Sequence, residues 1–405
     1  MSEQIRVIEE GTITSPVGFE AGATFAGMKS YREDKYDLGI VFSESPCSCA
    51  GTFTRSTVRS PSTQLTEDNV GLGKVRAVVA NSGIANAVVG EAGRKDAAEM
   101  AKLTAEKLGL SKEEIGVLST GIIGMELPMA LIRAGIPKIE LSDDGGQFFA
   151  KAILTTDTFT KQYAVSYEQG GRTITVGGVA KGSGMIHPNM ATMLAVVTTD
   201  APVQDSFLQQ TLKRAVDYSF NMISVDGDTS TNDTVLLLAN GAASGELITS
   251  DSDGASLFKE AVDQVCVYLA KAIIRDGEGS SKVFEVQIQG AQTEEEARMA
   301  ARTITDSNLV RTAVHGSDPN WGRIVAALGR SGATVEEGKL SVYINDVCIM
   351  EGGLPIPYFK DAVIQQMQQS EIAFRIDLNL GEASATAWGC NLSEAYVTFN
   401  SAYTT

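Results

Sequence analysis

The segment Tyr163 to Val176, YAVSYEQGGRTITV, constrains the fold more than any other stretch of the sequence. Its apolar and polar residues alternate on both sides of a Gly-Gly pair. A period of two is typical of a β-strand, and two glycines accept the left-handed backbone that a tight hairpin turn needs. The segment therefore predicts a β-hairpin. Since an isolated hairpin is barely stable in water, other elements must pack against it.

Other strand and helix patterns alternate along the rest of the chain. FEVQIQ and IAFRIDLNL also alternate apolar and polar residues, whereas residues 94–108 carry alanine and methionine at helical spacing. Thr293 and Glu296 form the pattern of a capping box, which predicts the start of a helix. The mixed order favours an α/β fold of layered sheets covered by helices.

Composition excludes several classes of protein. The 405 residues are enough for two lobes or one large layered unit, and no apolar run is long enough to span a membrane. A net charge of −17 would repel a phosphate backbone, so nucleic acid is not an expected partner. The N-terminal residues lack the pattern of a secretory signal, and five scattered cysteines suggest reduced thiols. We therefore expect a cytoplasmic location.

Few residues are available for metal or phosphate chemistry. The chain has two histidines, and His187, which precedes a proline in a turn, is expected to have a structural role. In a calcium loop that began at Asp226 of the acidic segment DGDTSTNDT, the sixth and twelfth positions would be Thr231 and Leu237. Such a loop requires glycine and glutamate there. VGGVAKGSG lacks the residue order of a phosphate-binding loop. We therefore expect no metal and no bound cofactor.

The segment HPNMATML, residues 187–194, offers a different chemistry. By spacing alone Thr192 is an ordinary threonine at the start of the apolar run TMLAVV. If the bond between Ala191 and Thr192 were cut, however, Thr192 would gain an α-amine with a pKa of about 7.7 to 8. This amine could accept the proton of the hydroxyl, so that one residue would supply both nucleophile and base.

Three other residues are candidates with ordinary alternatives. STGIIG places Thr120 and backbone N–H groups in a turn after a strand, where they could stabilise an oxyanion or form a plain tight turn. Glu278, flanked by glycines after a long helical stretch, and Lys181 are expected from residue type to be exposed to solvent.

Taken together, these stretches resemble the ornithine acetyltransferase family of arginine biosynthesis. The similarity extends from about Pro16 to Thr405, and it rests on seven ordered motifs: STGIIG, TTDT, KGSGMIHPNMATMLAVVTTDA, VDGDTSTNDT, DGEGS, GSDPNWGRI and FNSAYTT. The resemblance implies a precursor that cuts itself between Ala191 and Thr192. The products would be an α chain of residues 1–191 and a β chain of residues 192–405, assembled as a heterotetramer with two copies of each.

The resemblance also implies the roles of individual residues. Thr192 is the expected nucleophile, and Thr120 and Gly121 are the expected oxyanion hole. The expected substrate-binding residues match the family motifs and are Thr155, Lys181, Thr192, Glu278, Asn400 and Thr405, with the adjacent Thr156 as the alternative to Thr155.

The implied reaction transfers the acetyl group of N-acetylornithine to glutamate through acetyl-Thr192, and acetyl-coenzyme A is a possible second donor. Lys181 suits the α-carboxylate that both amino acids share. Glu278 suits the side-chain ammonium of ornithine, but it would repel the side-chain carboxylate of glutamate.

Two departures and two alternatives remain. Ile84 and Val88 stand where the family usually has asparagine and cysteine. A self-processing amidase or aminopeptidase of related architecture would pass its acyl group to water instead of an amine. A non-catalytic acidic binding protein would keep its chain intact.

Overall fold

The computed structural model describes residues 4–29, 35–187 and 193–402. Over these ranges the chain forms seventeen strands, which are β1 Ile5–Ile8, β2 Phe19–Thr24, β3 Leu38–Ser43, β4 Ser48–Phe53, β5 Ala77–Ile84, β6 Ile115–Ile122, β7 Lys161–Gln169, β8 Arg172–Lys181, β9 Leu194–Thr199, β10 Ile223–Ser224, β11 Thr234–Ala239, β12 Val283–Ala291, β13 Ser341–Ile344, β14 Val347–Glu351, β15 Leu354–Pro355, β16 Glu371–Asp377 and β17 Ala383–Cys390.

The same ranges contain eleven α-helices and four short 3-10 turns. The helices are α1 Pro61–Gly71, α2 Gly90–Leu108, α3 Met129–Gly135, α4 Gly146–Ala152, α5 Asp205–Tyr218, α6 Ala255–Arg275, α7 Glu294–Thr305, α8 Asn308–His315, α9 Trp321–Gly329, α10 Lys360–Met367 and α11 Glu394–Ala402. The 3-10 turns are Lys112–Glu114, Ile136–Lys138, Phe220–Met222 and Glu337–Lys339.

The strands form three sheets. A four-stranded sheet has the order β2-β3-β5-β6, and a six-stranded sheet has the order β1-β7-β8-β9-β11-β4. A seven-stranded sheet has the order β10-β17-β12-β16-β13-β14-β15. The expected α/β architecture of layered sheets and helices is therefore confirmed.

Strand β9 explains how the layers stack. Its residues alternate between two cores, because successive side chains of a strand point to opposite faces. Leu194 and Val196 pack against the four-stranded sheet, in a core that includes Val78 from β5. Ala195, next along the strand, packs toward α5 and α6. Helices α2 and α3 cover the far face of the four-stranded sheet, so the order is helices, sheet, sheet, helices.

The seven-stranded sheet has a core of its own. Apolar residues from β12, β13 and β16 pack there against α7, α8 and α9. Thr293 begins α7 as predicted, and its hydroxyl accepts a hydrogen bond of 3.2 Å from the backbone N–H of Glu296.

The predicted hairpin and helix are both present. Strands β7 and β8 pair in register from Gln169 opposite Arg172, and Gly170 and Gly171 between them have φ of +58° and +75°. The helical pattern of residues 94–108 lies within α2, which begins four residues earlier.

Two predictions from composition can also be compared with the structure. All five cysteines lie in the described ranges and are free thiols. None of the helices within those ranges combines the length and the apolarity needed to cross a membrane.

Candidate active site

A cavity of about 240 Å³ opens where β6 and β8 end and β9 begins. The loop between β10 and β11 closes one side of it, and α11 contributes to another. Six of the residues predicted from the sequence line this cavity, although they come from five separate parts of the chain: Thr120, Gly121, Thr155, Lys181, Glu278 and Asn400. Thr156, the alternative to Thr155, lines it as well.

Lys181 is buried, with 8% of its surface exposed, so the expectation of an exposed side chain is wrong. The reason is its position at the last residue of β8, in the interior of the six-stranded sheet and facing the cavity. Its ammonium donates hydrogen bonds to the Thr155 hydroxyl at 3.0 Å and to the Thr120 hydroxyl at 3.2 Å. Burial lowers the pKa of Lys181, and the nearby charge of Asp157 opposes that shift.

Asp157 organises a buried network behind Lys181. Its carboxylate accepts hydrogen bonds from the Lys161 ammonium at 2.7 Å, the Gly182 N–H at 2.7 Å and the Thr155 N–H at 3.0 Å. Lys161 also donates to Asp276 at 2.6 Å. Burial alone would raise the pKa of Asp157, but Lys181 and Lys161 outweigh it and lower that pKa to about 2. Asp157 therefore stays ionised and fixes the backbone at Thr155 and at Gly182, the residue that follows Lys181.

Thr120 and Gly121 lie inside β6, near its end, and not in a turn after the strand as the sequence suggested. They pair with Ser82 and Gly83 of the parallel strand β5. This pairing continues the extended backbone of β6 through Thr120 and Gly121 to Ile122. Gly121 has a φ of +129°, and a Cβ atom there would lie 2.2 Å from the carbonyl carbon of Gly83. Only glycine fits this position.

Asn232 holds the ends of these two strands together. Its side-chain amide donates to the Ser119 carbonyl at 2.8 Å and to the Ala85 carbonyl at 2.5 Å. Asn232 is itself buried and lines the cavity. The position of Thr120, which follows Ser119, is therefore fixed by a residue from the second half of the chain.

Glu278 is partly buried and contacts Ser183 and Gly184, which follow Lys181 closely in the sequence. Its backbone N–H donates to the Ser183 carbonyl at 2.9 Å, and Asn400 donates to its carboxylate at 3.0 Å. A Cβ atom at Gly184 would lie 2.3 Å from a carboxylate oxygen of Glu278. Glycine at position 184 therefore makes room for this carboxylate at the cavity wall, and the expectation that Glu278 is simply exposed is wrong.

The cavity also contains acidic residues that sequence reasoning did not single out as site residues. Asp226, Asp228 and Asp233 line it together with Glu278. Tyr396 of α11 donates from its hydroxyl to Asp226 at 3.3 Å. The signal for these residues is the acidic motif VDGDTSTNDT, which matches a family motif although the resemblance assigned no role to its aspartates. Among the described residues no cluster of His, Cys, Asp and Glu has the arrangement of a metal site.

Three predicted residues lie outside the described ranges: Ala191, Thr192 and Thr405. Met193 and Leu194, which follow Thr192 directly in the sequence, both line the cavity.

His187 contacts groups that do not line the cavity. Its Nδ1 lies 3.0 Å from the Ser224 hydroxyl, and its Nε2 lies 3.2 Å from the guanidinium of Arg302. Burial lowers the pKa of His187, although Asp306 opposes this shift. A neutral imidazole can link these groups, which supports the expected structural role.

The two positions that depart from the family pattern have different environments. Ile84 is 6% exposed at the end of β5, whereas Val88 is 63% exposed and has a φ of +59°. Neither side chain lines the cavity. Ile84 acts on the site only through the packing next to Ala85, which does line it.

Comparison with known proteins agrees with the geometry. The chain is 49% identical to the arginine biosynthesis bifunctional protein ArgJ of Symbiobacterium thermophilum, over 98% of this chain and 99% of that protein. It is 45% identical to the protein of the same name from Dehalococcoides mccartyi, over the full length of both. The crystal structure of ArgJ from Bacillus halodurans is 37% identical with a TM-score of 0.51, and the match covers 51% of this chain and 98% of that one. The ArgJ family model matches residues 20–405, and the chain therefore belongs to the ArgJ family.

Proposed function

We propose that this enzyme transfers the acetyl group of N-acetylornithine to glutamate through an acetyl ester on Thr192, after the chain has cut itself between Ala191 and Thr192. The observation that carries the proposal is the cavity itself. Six residues with the required chemistry surround it, and its wall includes Met193, the residue that follows Thr192. The membership in the ArgJ family supports the same reaction.

Self-cleavage would begin with attack of the Thr192 hydroxyl oxygen on the Ala191 carbonyl carbon. The new C–O bond forms an ester, the C–N bond breaks, and the hydroxyl proton ends on the Thr192 amine. Water then hydrolyses the ester and leaves a carboxylate on Ala191. The solved Bacillus halodurans chain is matched over nearly its whole length by about half of this chain, which is consistent with such a division.

The two products would stay together because they share a sheet. Strands β1, β4, β7 and β8 precede the proposed cut, whereas β9 and β11 follow it. In the six-stranded sheet β9 and β11 lie between β8 and β4, so each product hydrogen-bonds to the other along two edges. Separation would expose those edges and two cores. We expect two copies of each product to assemble as a heterotetramer in the cytoplasm.

The transferase reaction would then use the new amine as base. The Thr192 hydroxyl attacks the acetyl carbonyl, ornithine leaves with the proton, and the amine of glutamate attacks the ester in the second step. Lys181 donates to the hydroxyl oxygen of Thr120, so the proton of that hydroxyl is free to point elsewhere. This supports Thr120, together with the Gly121 N–H, as the donor pair for the oxyanion.

The charges in the cavity suit two amino acids that share an α-carboxylate but carry opposite charges on their side chains. Lys181 would bind the shared α-carboxylate, and Glu278 would bind the ammonium of ornithine. The side-chain carboxylate of glutamate needs a donor near the same place. The amide of Asn400 donates to Glu278 at 3.0 Å and to the Tyr396 carbonyl at 3.1 Å, and one of these bonds would be exchanged for a bond to the carboxylate of glutamate.

A second acetyl donor is also part of the proposal. Acetyl-coenzyme A would give the same acetyl-Thr192, because a thioester has a better leaving group than an amide. The word bifunctional in the names of the relatives supports a second activity. With glutamate and acetyl-coenzyme A alone, we expect N-acetylglutamate at a rate above that of Thr192→Ala. Product no faster than with that variant would restrict the enzyme to N-acetylornithine.

The decisive experiment for acetyl transfer follows an isotope-labelled acetyl group. N-acetylornithine carrying the label is added without glutamate, the reaction is quenched in acid, and peptides are mapped by mass spectrometry. We expect the label on Thr192, and we expect added glutamate to convert it to N-acetylglutamate. Labelled acetate in place of N-acetylglutamate would favour an amidase. Activity without label on the protein, retained in Thr192→Ala, would rule out the covalent route.

A further inference from the structure

We infer that the segment 225–234, which joins β10 to β11, positions the chain around the 191–192 bond for self-cleavage, and that Asp226 is its principal positioning residue. The inference rests on the proposed self-cleavage. It gives a role to the acidic motif VDGDTSTNDT, whose first five residues, 225–229, include groups that bind the backbone of residues 185–187 in KGSGMIHPNMATMLAVVTTDA.

On the N-terminal side of the bond, Asp226 holds two successive backbone groups. Its carboxylate accepts hydrogen bonds from the Met185 N–H at 2.7 Å and from the Ile186 N–H at 2.9 Å. Met185 has a φ of +54°, a conformation that costs energy for a residue with a side chain. The two charge-assisted hydrogen bonds offset this cost and keep the backbone turned at Met185.

Other groups of the same segment hold the next residues. The Val225 N–H donates to the Ile186 carbonyl at 2.7 Å. The Thr229 hydroxyl donates to the His187 carbonyl at 2.9 Å. Residues 185 to 187 are therefore held at every position by the segment that begins at Val225.

On the C-terminal side of the bond, the same segment holds the start of β9. The Thr234 N–H donates to the Met193 carbonyl at 3.0 Å, and Thr234 pairs with Leu194 in the parallel ladder of β9 and β11. One continuous stretch of ten residues therefore fixes both His187 and Met193. The bond to be cut lies between these two points in the sequence.

This arrangement matters because the attack of a hydroxyl on a neighbouring carbonyl depends on geometry. Holding the reacting groups in one orientation removes entropy from the barrier in advance, and a small displacement can slow a reaction many-fold. For this role Asp226 needs no contact with the reacting groups. It acts through the backbone at Met185 and Ile186, and its own position is supported by the Asp228 N–H at 3.2 Å and the Tyr396 hydroxyl.

The test measures the rate of self-cleavage of newly made full-length chain. Protein is synthesised in a cell-free system with a radioactive amino acid, synthesis is stopped, and samples are denatured at intervals and separated on a gel. Asp226→Asn keeps the shape of the side chain but loses one of its two acceptors, and we expect cleavage about tenfold slower or more. Asp144→Asn makes the same chemical change at an exposed residue outside the cavity, and it should cleave within about twofold of wild type.

A second pair of variants guards against a folding defect in Asp226→Asn. Thr229 is exposed, so its substitution perturbs the fold little. Thr229→Val removes the hydrogen bond to His187 and should slow cleavage by about two- to tenfold. Thr229→Ser restores the hydroxyl and should restore the rate, which a purely structural role of the threonine methyl would not do.

The outcomes separate the inference from the function on which it rests. Asp226→Asn cleaving at the rate of Asp144→Asn, or Thr229→Val cleaving at the rate of Thr229→Ser, would overturn the positioning role while self-cleavage stands. A wild-type chain that stays uncut would overturn both.

Discussion

Asp157→Asn tests the buried network that supports Lys181. The side chains of Asp157 and Lys161 have no exposed surface, and that of Asp276 is 2% exposed. Asparagine offers one acceptor oxygen in place of two, so it cannot satisfy the Lys161 ammonium and the N–H groups of Gly182 and Thr155 together.

The loss of folding stability caused by Asp157→Asn follows from these contacts. Breaking a buried ion pair costs about 3–5 kcal/mol. Lys161 keeps its bond to Asp276, so we expect a loss near the lower limit, about 3 kcal/mol. The assay is thermal unfolding of the single-chain Thr192→Ala protein with and without Asp157→Asn. We expect a decrease in Tm of at least about 5 °C, since about 1 kcal/mol shifts Tm by roughly 2–4 °C in large domains.

The exposed Asp144 provides the matched control, because Asp144→Asn makes the same chemical change at the surface. The pKa of Asp157 is about 2 in the folded protein, below its usual value of 3.8. Its stabilising effect is therefore present above about pH 4 and is lost as the pH falls toward 2. The difference in Tm between Asp157→Asn and its parent should narrow over that range. Equal Tm values for Asp157→Asn and Asp144→Asn at neutral pH would refute the reasoning.

The same substitution should alter the pH dependence of the transferase. Burial already lowers the pKa of Lys181, and Asp157 supplies the largest opposing charge. Without it the ammonium loses its proton at lower pH, and the alkaline decrease of kcat/KM for N-acetylornithine should move to lower pH. An unchanged alkaline limb in cleaved Asp157→Asn enzyme would exclude Lys181 as the group that binds the carboxylate.

Three further substitutions test the cavity by steady-state kinetics. Thr120→Ala should lower kcat by roughly 100-fold with little change in KM, because an oxyanion donor acts in the transition state; unchanged kcat with a raised KM would assign Thr120 to substrate binding. Glu278→Gln should raise KM for N-acetylornithine more than KM for glutamate, since it removes the partner of the ammonium. Gly184→Ala should act in the same direction, because its Cβ would displace the Glu278 carboxylate, and an unchanged KM would show that this carboxylate has no part in binding.

Local elements of the fold were predictable because local sequence specifies them. The Gly-Gly pair predicted the hairpin of β7 and β8, and Thr293, whose hydroxyl caps α7, predicted the start of that helix. The order of the strands within a sheet was not predictable. It depends on pairs such as Leu236 of β11 with Gly51 of β4, which are far apart in sequence, and no local pattern encodes them.

The candidate site was also predictable only in part from the sequence. The family motifs predicted Thr120, Lys181 and Glu278, and the structure brings all three to one cavity. From its residue type alone, Lys181 was predicted to be exposed. Its burial depends on Asp157, which is distant in the sequence, and on the sheet around it, so residue type could not predict it. The contacts of Asp226 with Met185 and Ile186 could not be predicted either, since they involve backbone N–H groups that carry no sequence signal.

The masses of the purified chains under denaturing conditions test the central claim most directly. If the chain cuts itself, two chains are expected, residues 1–191 and residues 192–405, the second beginning with Thr192. The two chains should elute together under native conditions. Thr192→Ala should give one chain of 405 residues without transferase activity. A wild-type protein that is a single uncut chain and yet transfers acetyl groups at full rate would contradict that claim.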